Sequence, residues 1–157
     1  MRCGWRGRVR RSCYAFLVET GAPAAEYLFY DGHCGLCHRA VKFVVRHDRE
    51  GRAFRFAPLQ GSTFVARVPA ERRAGLPDSV VVLTRDGELL VRSGSFLHIL
   101  RRLGGGWGVL ASVLSVVPGR LLDLAYDFVA RIRYRVFGKR EDLCPIVPAE
   151  LRARFDP

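Results

Sequence analysis

Apolar and polar positions along this chain recur with a period that changes from strand-like to helix-like and back. Residues 26–31, EYLFYD, are a short aromatic-rich run that stops at Gly32, the pattern of a buried strand. From 36 to about 49 the apolar positions Leu36, Ala40, Val41, Val44 and Val45 fall at helical spacing, with Arg39, Lys42, Arg46 and Asp48 between them. DREG then supplies a stop, with Gly51 suited to the left-handed conformation that closes helices. AFRFA (53–57) alternates like a strand and ends at Pro58. Strand, helix and strand within about thirty residues form a βαβ unit, which implies a parallel pair with a right-handed crossover.

Further along, a short helix is expected over 62–67. DSVVVLTRDGELLVRSG (78–94) predicts two strands joined by a turn at Asp86-Gly87. Ser95 is placed to cap a helix from Phe96 to Leu103, stopped by Gly104, Gly105 and Gly106. Two more helices are predicted over 107–116 and, after Pro118, over 119–137. In the second, Leu121, Leu122, Leu124, Ala125, Phe128, Val129, Ile132 and Val136 make the apolar stripe. The expected architecture is α/β, in the order β-α-β-(α)-β-β-α followed by a C-terminal helical extension. Residues 1–25 show no sustained periodicity and are expected to be a disordered basic extension, with 26–157 as one domain.

At 157 residues, 49% of them apolar and 26% charged, the chain is long enough to bury a core and too apolar for wholesale disorder. Its net charge is +11, from 26 Lys and Arg against 15 Asp and Glu. That excess is divided. Residues 1–24 hold five arginines and Glu19, for +4, while 120–140 hold six basic residues against Asp123 and Asp127, again +4. Two separated blocks do not make a nucleic-acid footprint, so nucleic acid is not an expected partner. The arginine-rich ARIRYRVFGKR is read first as a solvated face over the apolar stripe, with peripheral membrane contact or an acidic partner as the other reading. The apolar run WGVLASVLSVV (107–117) is too short to span a bilayer, and a cytoplasmic location is the expectation.

The candidate chemistry lies in YDGHCGLCHRA (30–40). Cys34 falls in the turn after the first strand and Cys37 in the first turn of the helix. Backbone N–H groups and the positive end of the dipole at a helix N-terminus both favour thiolate, the reactive form. Cys34 is then the exposed attacker of a disulfide, and Cys37, one turn further in, resolves the mixed disulfide. Two other readings stay open, half of a zinc site or a pair of inert buried thiols. A zinc site needs two more ligands at suitable spacing; His33 and His38 are adjacent to the cysteines, Cys144 offers a distant thiol, and no second Cys-x-x-Cys exists. Cys3 and Cys13 lie in the extension and carry no assigned role.

Cys-x-x-Cys beside a βαβ unit resembles thioredoxin-like domains, which continue with an antiparallel hairpin and a closing helix. Such domains carry a proline, usually cis, before the third strand. In GLPDSVVVL that position is Pro77, which an ordinary loop proline would also explain. More specifically, the chain resembles the DCC family, named for D-x-x-C-x-x-C, with Asp31, Cys34 and Cys37 at those positions in FYDGHCGLCHRAVKFVVRHD. The likeness runs through FRFAPLQG, LPDSVVVL, VRSGSFLHIL and YDFVARIRYRVFGKREDLCPIVPAELRARF, about 26–155 in all. Gly94, between two serines, departs from it where aspartate or alanine is expected.

The resemblance implies a thioredoxin-like fold and thiol–disulfide oxidoreductase activity, with no bound cofactor and no metal. The partners it implies are a protein or small-molecule disulfide and an electron donor that the sequence does not specify. It adds a role for Asp31, as acceptor of the Cys37 proton, beside the plainer reading of a turn residue bonding loop N–H groups. His33 and His38 are candidates for tuning Cys34, or ordinary surface histidines. Cys144 is a candidate third thiol, or a packed free cysteine. The competing function class is a non-catalytic interaction module with a basic tail.

Overall fold

The computed structural model describes residues 25–139 and 149–157. The strand expected at 26–31 forms as β1 (Glu26–Tyr30), and all five of its residues are buried. β2 (Phe54–Pro58) pairs with it in parallel, Glu26 opposite Phe54 and Tyr30 opposite Pro58. Between them runs α1 (Gly35–His47), which packs Cys37, Val41 and Val44 onto the sheet. Asp48 follows α1 and accepts the Ala53 N–H at 3.1 Å, so the chain enters β2 through a bonded turn.

β3 (Val81–Leu83) lies antiparallel to β1 on its other side, and β4 (Leu89–Leu90) closes the hairpin, giving the order β2-β1-β3-β4. The turn forms at the expected place, with Gly87 at φ 80° and the Thr84 hydroxyl oxygen accepting the Glu88 N–H. β1 is central, and its alternation feeds two cores. Leu28 and Tyr30 meet α1 and Ile99, whereas Tyr27 and Phe29 meet Phe64 and Val68. Each large side chain removed from water this way contributes about 1.5–3 kcal/mol. This is a thioredoxin-like α/β fold.

The helices are α2 (Ser62–Arg67), α3 (Ala70–Arg73), α4 (Arg92–Leu103), α5 (Gly105–Leu114) and α6 (Gly119–Phe137). α3 is one turn long and has no periodicity to announce it. α4 starts earlier than expected, with Val91 as its cap. Ser95 is not the cap. It is buried inside the first turn, where its hydroxyl donates to the Val80 and Arg92 carbonyls and ties α4 to β3.

α6 has the predicted bounds but not the predicted inner face. Its buried residue is Arg133, while Leu121, Leu124, Phe128 and Val136 are exposed. Leu122, Ala125, Tyr126 and Val129 face a cavity shared with α1 and α4. The stripe is therefore split, because the inward turn of α6 near its C-terminus serves a polar site. The last described residues return to β2. Phe155 stacks on Phe56, Asp156 pairs with Arg55 at 2.5 Å, and Arg154 pairs with Asp48. This tail covers the free edge of β2.

Candidate active site

Cys34 caps α1. Its backbone is extended (φ −96°, ψ 116°), and its sulfur accepts the Cys37 N–H at 3.4 Å. A sulfur in the place of a capping oxygen sits among unpaired helix N–H groups and is stabilised as an anion. The thiol is drawn down from 9.0 to about 6, chiefly by a hydrogen bond from the Cys37 thiol, with backbone N–H groups and the Arg133 charge adding to it against burial. Cys37 moves the other way. It is pushed up by its bond to the Cys34 sulfur, by burial, and by the negative charge on Cys34. One thiol of the pair is thus prepared as the anion and the other as its proton-bearing donor. Behind Cys37 lies an apolar cavity of about 410 Å³, walled in part by Leu28, Leu36, Phe43, Ile99 and Tyr126.

Asp31 is 1% exposed, and four donors converge on its carboxylate. His33 N–H (3.0 Å) and Gln60 Nε2 (3.3 Å) donate to Oδ1. Arg133 Nη2 (3.4 Å) and the Tyr134 hydroxyl donate to Oδ2. Burial alone would raise its pKa; the bonds from Tyr134 and His33, the Arg133 charge and Gln60 together hold it below the ordinary carboxylate value. Both sequence readings of Asp31 touch this geometry. It does bond the loop backbone, and its charge lies close enough to Cys37 to oppose ionisation there.

Arg133 is 8% exposed and branches. Nη1 reaches the Ala130 carbonyl at 2.9 Å, and Nη2 reaches Asp31, the Tyr134 oxygen and the Asp78 carbonyl, the last at 2.5 Å. It joins three things: the cysteine turn, the C-terminal end of α6 and the loop before β3. That loop contains Pro77, whose carbonyl accepts the Ser79 N–H at 2.7 Å. No cis peptide bond occurs among the described residues, so Pro77 enters β3 through a trans bond. Arg133 and Tyr134 escaped the sequence reading because an arginine inside an apolar stripe reads as a solvated charge. The signal present was the unusual Arg-Tyr-Arg run at 133–135 itself.

Cys34 is not the exposed attacker that its place in a turn predicts, since its exposure is 0%. The end of α6 passes over it. Lys139 forms an antiparallel bridge with Cys34, and Gly35 N–H donates to the Gly138 carbonyl at 3.3 Å. Gly35 is needed for this approach, because a Cβ there would sit 2.3 Å from the Phe137 oxygen.

The two histidines part company. His33 is exposed, while His38 is buried, against its expectation as a surface residue. Its Nε2–H donates to the Gly32 carbonyl at 2.7 Å, since a carbonyl oxygen only accepts. Its ring meets Tyr30 edge-on, so it fixes the turn from behind. Cys144, Cys3 and Cys13 lie outside the described residues. Among the described residues no group of three or more His, Cys, Asp or Glu is arranged to hold a metal ion.

The profile of a family described as DCC1-like thiol-disulfide oxidoreductase matches residues 28–139, from β1 through the bridge at Lys139. The chain is 32% identical over 134 residues to the uncharacterised protein YuxK of Bacillus subtilis (strain 168), covering 83% of this chain and 93% of that one. It is 32% identical over 142 residues to a chloroplastic DCC family protein of Arabidopsis thaliana, covering 88% of this chain and 81% of the relative. No solved structure matches the chain significantly. A match through the cysteine turn, Arg133 and Tyr134 alike, with relatives aligned along most of their length, means that the chain belongs to the DCC1-like thiol-disulfide oxidoreductase family.

Proposed function

We propose that the protein exchanges thiols and disulfides through Cys34 and Cys37. The observation that carries this reading is the opposite displacement of the two thiols, Cys34 down to about 6 and Cys37 upward. The Cys34 thiolate attacks a substrate disulfide, forming a mixed disulfide and releasing the first substrate thiolate. That step removes the negative charge opposing ionisation of Cys37. Cys37 then gives up its proton, attacks the Cys34 sulfur, and releases the second substrate thiolate, leaving the Cys34–Cys37 disulfide. Asp31 is the nearby ionised group for that proton; its depressed pKa keeps it charged but makes it a weak base, so it holds the proton only in passing. Pro77 shapes the docking surface through the loop that Arg133 holds. The substrate is a protein or small-molecule disulfide, and a separate dithiol donor must return the pair to its reduced form. In a reducing compartment such as the cytoplasm the cycle runs as net reduction.

The test is titration of the purified protein in thiol/disulfide buffers, with free thiols alkylated and located by mass spectrometry. Cys34 and Cys37 are expected to oxidise together as one two-electron couple between roughly −270 and −120 mV. Two thiols that never pair would end the catalytic reading.

The complete burial of Cys34 favours one alternative, a thioredoxin-like interaction module that performs no exchange. For such a module, Cys34→Ser leaves partner binding unchanged. For an oxidoreductase it abolishes turnover.

A further inference from the structure

We propose that the arm formed by α5 and α6 seats the protein on the surface of an anionic lipid bilayer. Val109, Val113, Val116, Leu121, Leu124 and Phe128 are all exposed, Val116 at 84% and Leu124 at 65%. Scattered exposed apolar residues are ordinary, but these are concentrated on two consecutive helices and the turn between them. α5 contains no charged residue at all.

Charge identifies the occupant. On α6, Leu121, Leu124 and Phe128 recur at i, i+3 and i+7, and the same helix face continues into Arg131 and Arg135. Arg120, Arg131 and Arg135 are all exposed. The two acids of α6 are both turned to internal partners. Asp123 Oδ1 accepts from the Ser93 hydroxyl at 2.5 Å and its N–H at 3.3 Å, and Asp127 pairs with Arg92 at 3.4 Å. What faces outward is therefore an apolar stretch flanked by arginines, Arg120 before it and Arg131 and Arg135 after it, with both carboxylates of α6 paired within the molecule.

A second copy of the chain fits this face poorly, because it would bring the exposed arginines of two already cationic molecules together. An anionic bilayer fits both halves, with acyl chains for the valines, leucines and phenylalanine and headgroups for the arginines. The arm would lie in the interface. Among the described residues no single helix is long and apolar enough to cross a membrane, and α5 and α6 meet at a bend of 111°.

The experiment is sedimentation of the full chain with vesicles, either phosphatidylcholine alone or about two parts phosphatidylcholine to one part phosphatidylglycerol. Strong binding to the anionic vesicles only, weakened by salt, is expected. Arg131→Gln with Arg135→Gln should weaken partitioning about 25-fold, about fivefold per charge. Leu124→Glu with Phe128→Glu should abolish it. Both double variants should keep the wild-type circular dichroism and thiol couple, which separates loss of the face from loss of the fold. Equal binding to both vesicle types overturns the proposal, as does binding that survives the glutamates. Absence of binding in a protein that light scattering shows to be dimeric, and monomeric with the glutamates, gives the face to a second copy instead.

Discussion

The Tyr134 hydroxyl donates a hydrogen bond to Asp31 Oδ2 across 103 residues of sequence, tying the last turns of α6 to the turn that carries the cysteines. Burial raises the Asp31 pKa and this bond is the largest effect opposing it. Tyr134→Phe should therefore raise it. A carboxylate whose folded pKa is depressed adds stability above its unfolded pKa, about 3.9, and loses it as pH falls through the folded value. Urea unfolding at neutral pH should show a loss of about 1.5–3 kcal/mol in Tyr134→Phe, shrinking as Asp31 protonates in acid. A pH-independent difference would mean that the lost hydroxyl acts through its bond from Arg133 and does nothing for Asp31.

Cys34 should titrate near 6, followed by thiolate absorbance in a background lacking Cys3, Cys13 and Cys144. Its leading cause is the Cys37 thiol, so Cys37→Ala should move the midpoint upward, towards 9.0. The linkage has a definite sign. Cys34 has a folded pKa below its unfolded one, so the reduced protein should gain stability as pH rises from about 6 to 9. Above that, Cys37, whose folded pKa is raised, makes stability fall again. A reduced form equally stable at pH 6 and pH 9 would contradict the assignment of the anion to Cys34.

What the sequence discloses about this site is its local half. EYLFYD, the helical spacing after Leu36 and the Asp86-Gly87 turn each announce an element because the pattern and the element share a period, and the βαβ order follows from them. The position of Cys34 as cap and Cys37 one turn in is local too. Arg133 is different. The Arg-Tyr-Arg run marks Arg135 as much as it marks Arg133, and the burial of Arg133 makes sense only once Asp31, 102 residues away, is known to face it. The same holds for the cover over Cys34, because a strand-to-helix turn is solvent-exposed unless some remote segment crosses it, and Gly138–Lys139 does. Ser95 fails as a cap for the same kind of reason, since its hydroxyl finds the Val80 carbonyl on a neighbouring strand.

Arg133→Met should be the most damaging change at the site. It leaves Asp31 buried with its countercharge gone and the Asp78 carbonyl without its guanidinium donor, a loss of about 3–5 kcal/mol. It also removes a positive charge that favours the Cys34 thiolate, so the Cys34 midpoint should rise. Arg133→Lys separates the two effects. An ammonium keeps the charge but cannot branch to Ala130 and Asp78 together as the guanidinium does, so the midpoint should stay closer to wild type than stability does. If Arg133→Lys shifts the midpoint as far as Arg133→Met, the contribution of Arg133 to the thiolate rests on guanidinium geometry rather than charge.

Gly35→Ala tests whether the cover limits access to Cys34. The added Cβ would lie 2.3 Å from the Phe137 carbonyl oxygen, which is backbone and cannot rotate away, so the end of α6 must lift. Overpacking of this kind costs about 1–3 kcal/mol. Because Gly138 and Lys139 hold to the motif through the Gly35 N–H and the Cys34 bridge, the strain falls first on that contact. A cover weakened by about 1.4 kcal/mol is open about ten times as often. Alkylation of Cys34 should speed up by that factor while its thiolate midpoint stays in place, since the Cys37 donor and the N-terminal N–H groups of α1 are untouched. Alkylation at the wild-type rate would show that Cys34 is reached by another route, and that the bridge to Lys139 does not stand between the thiolate and its substrate.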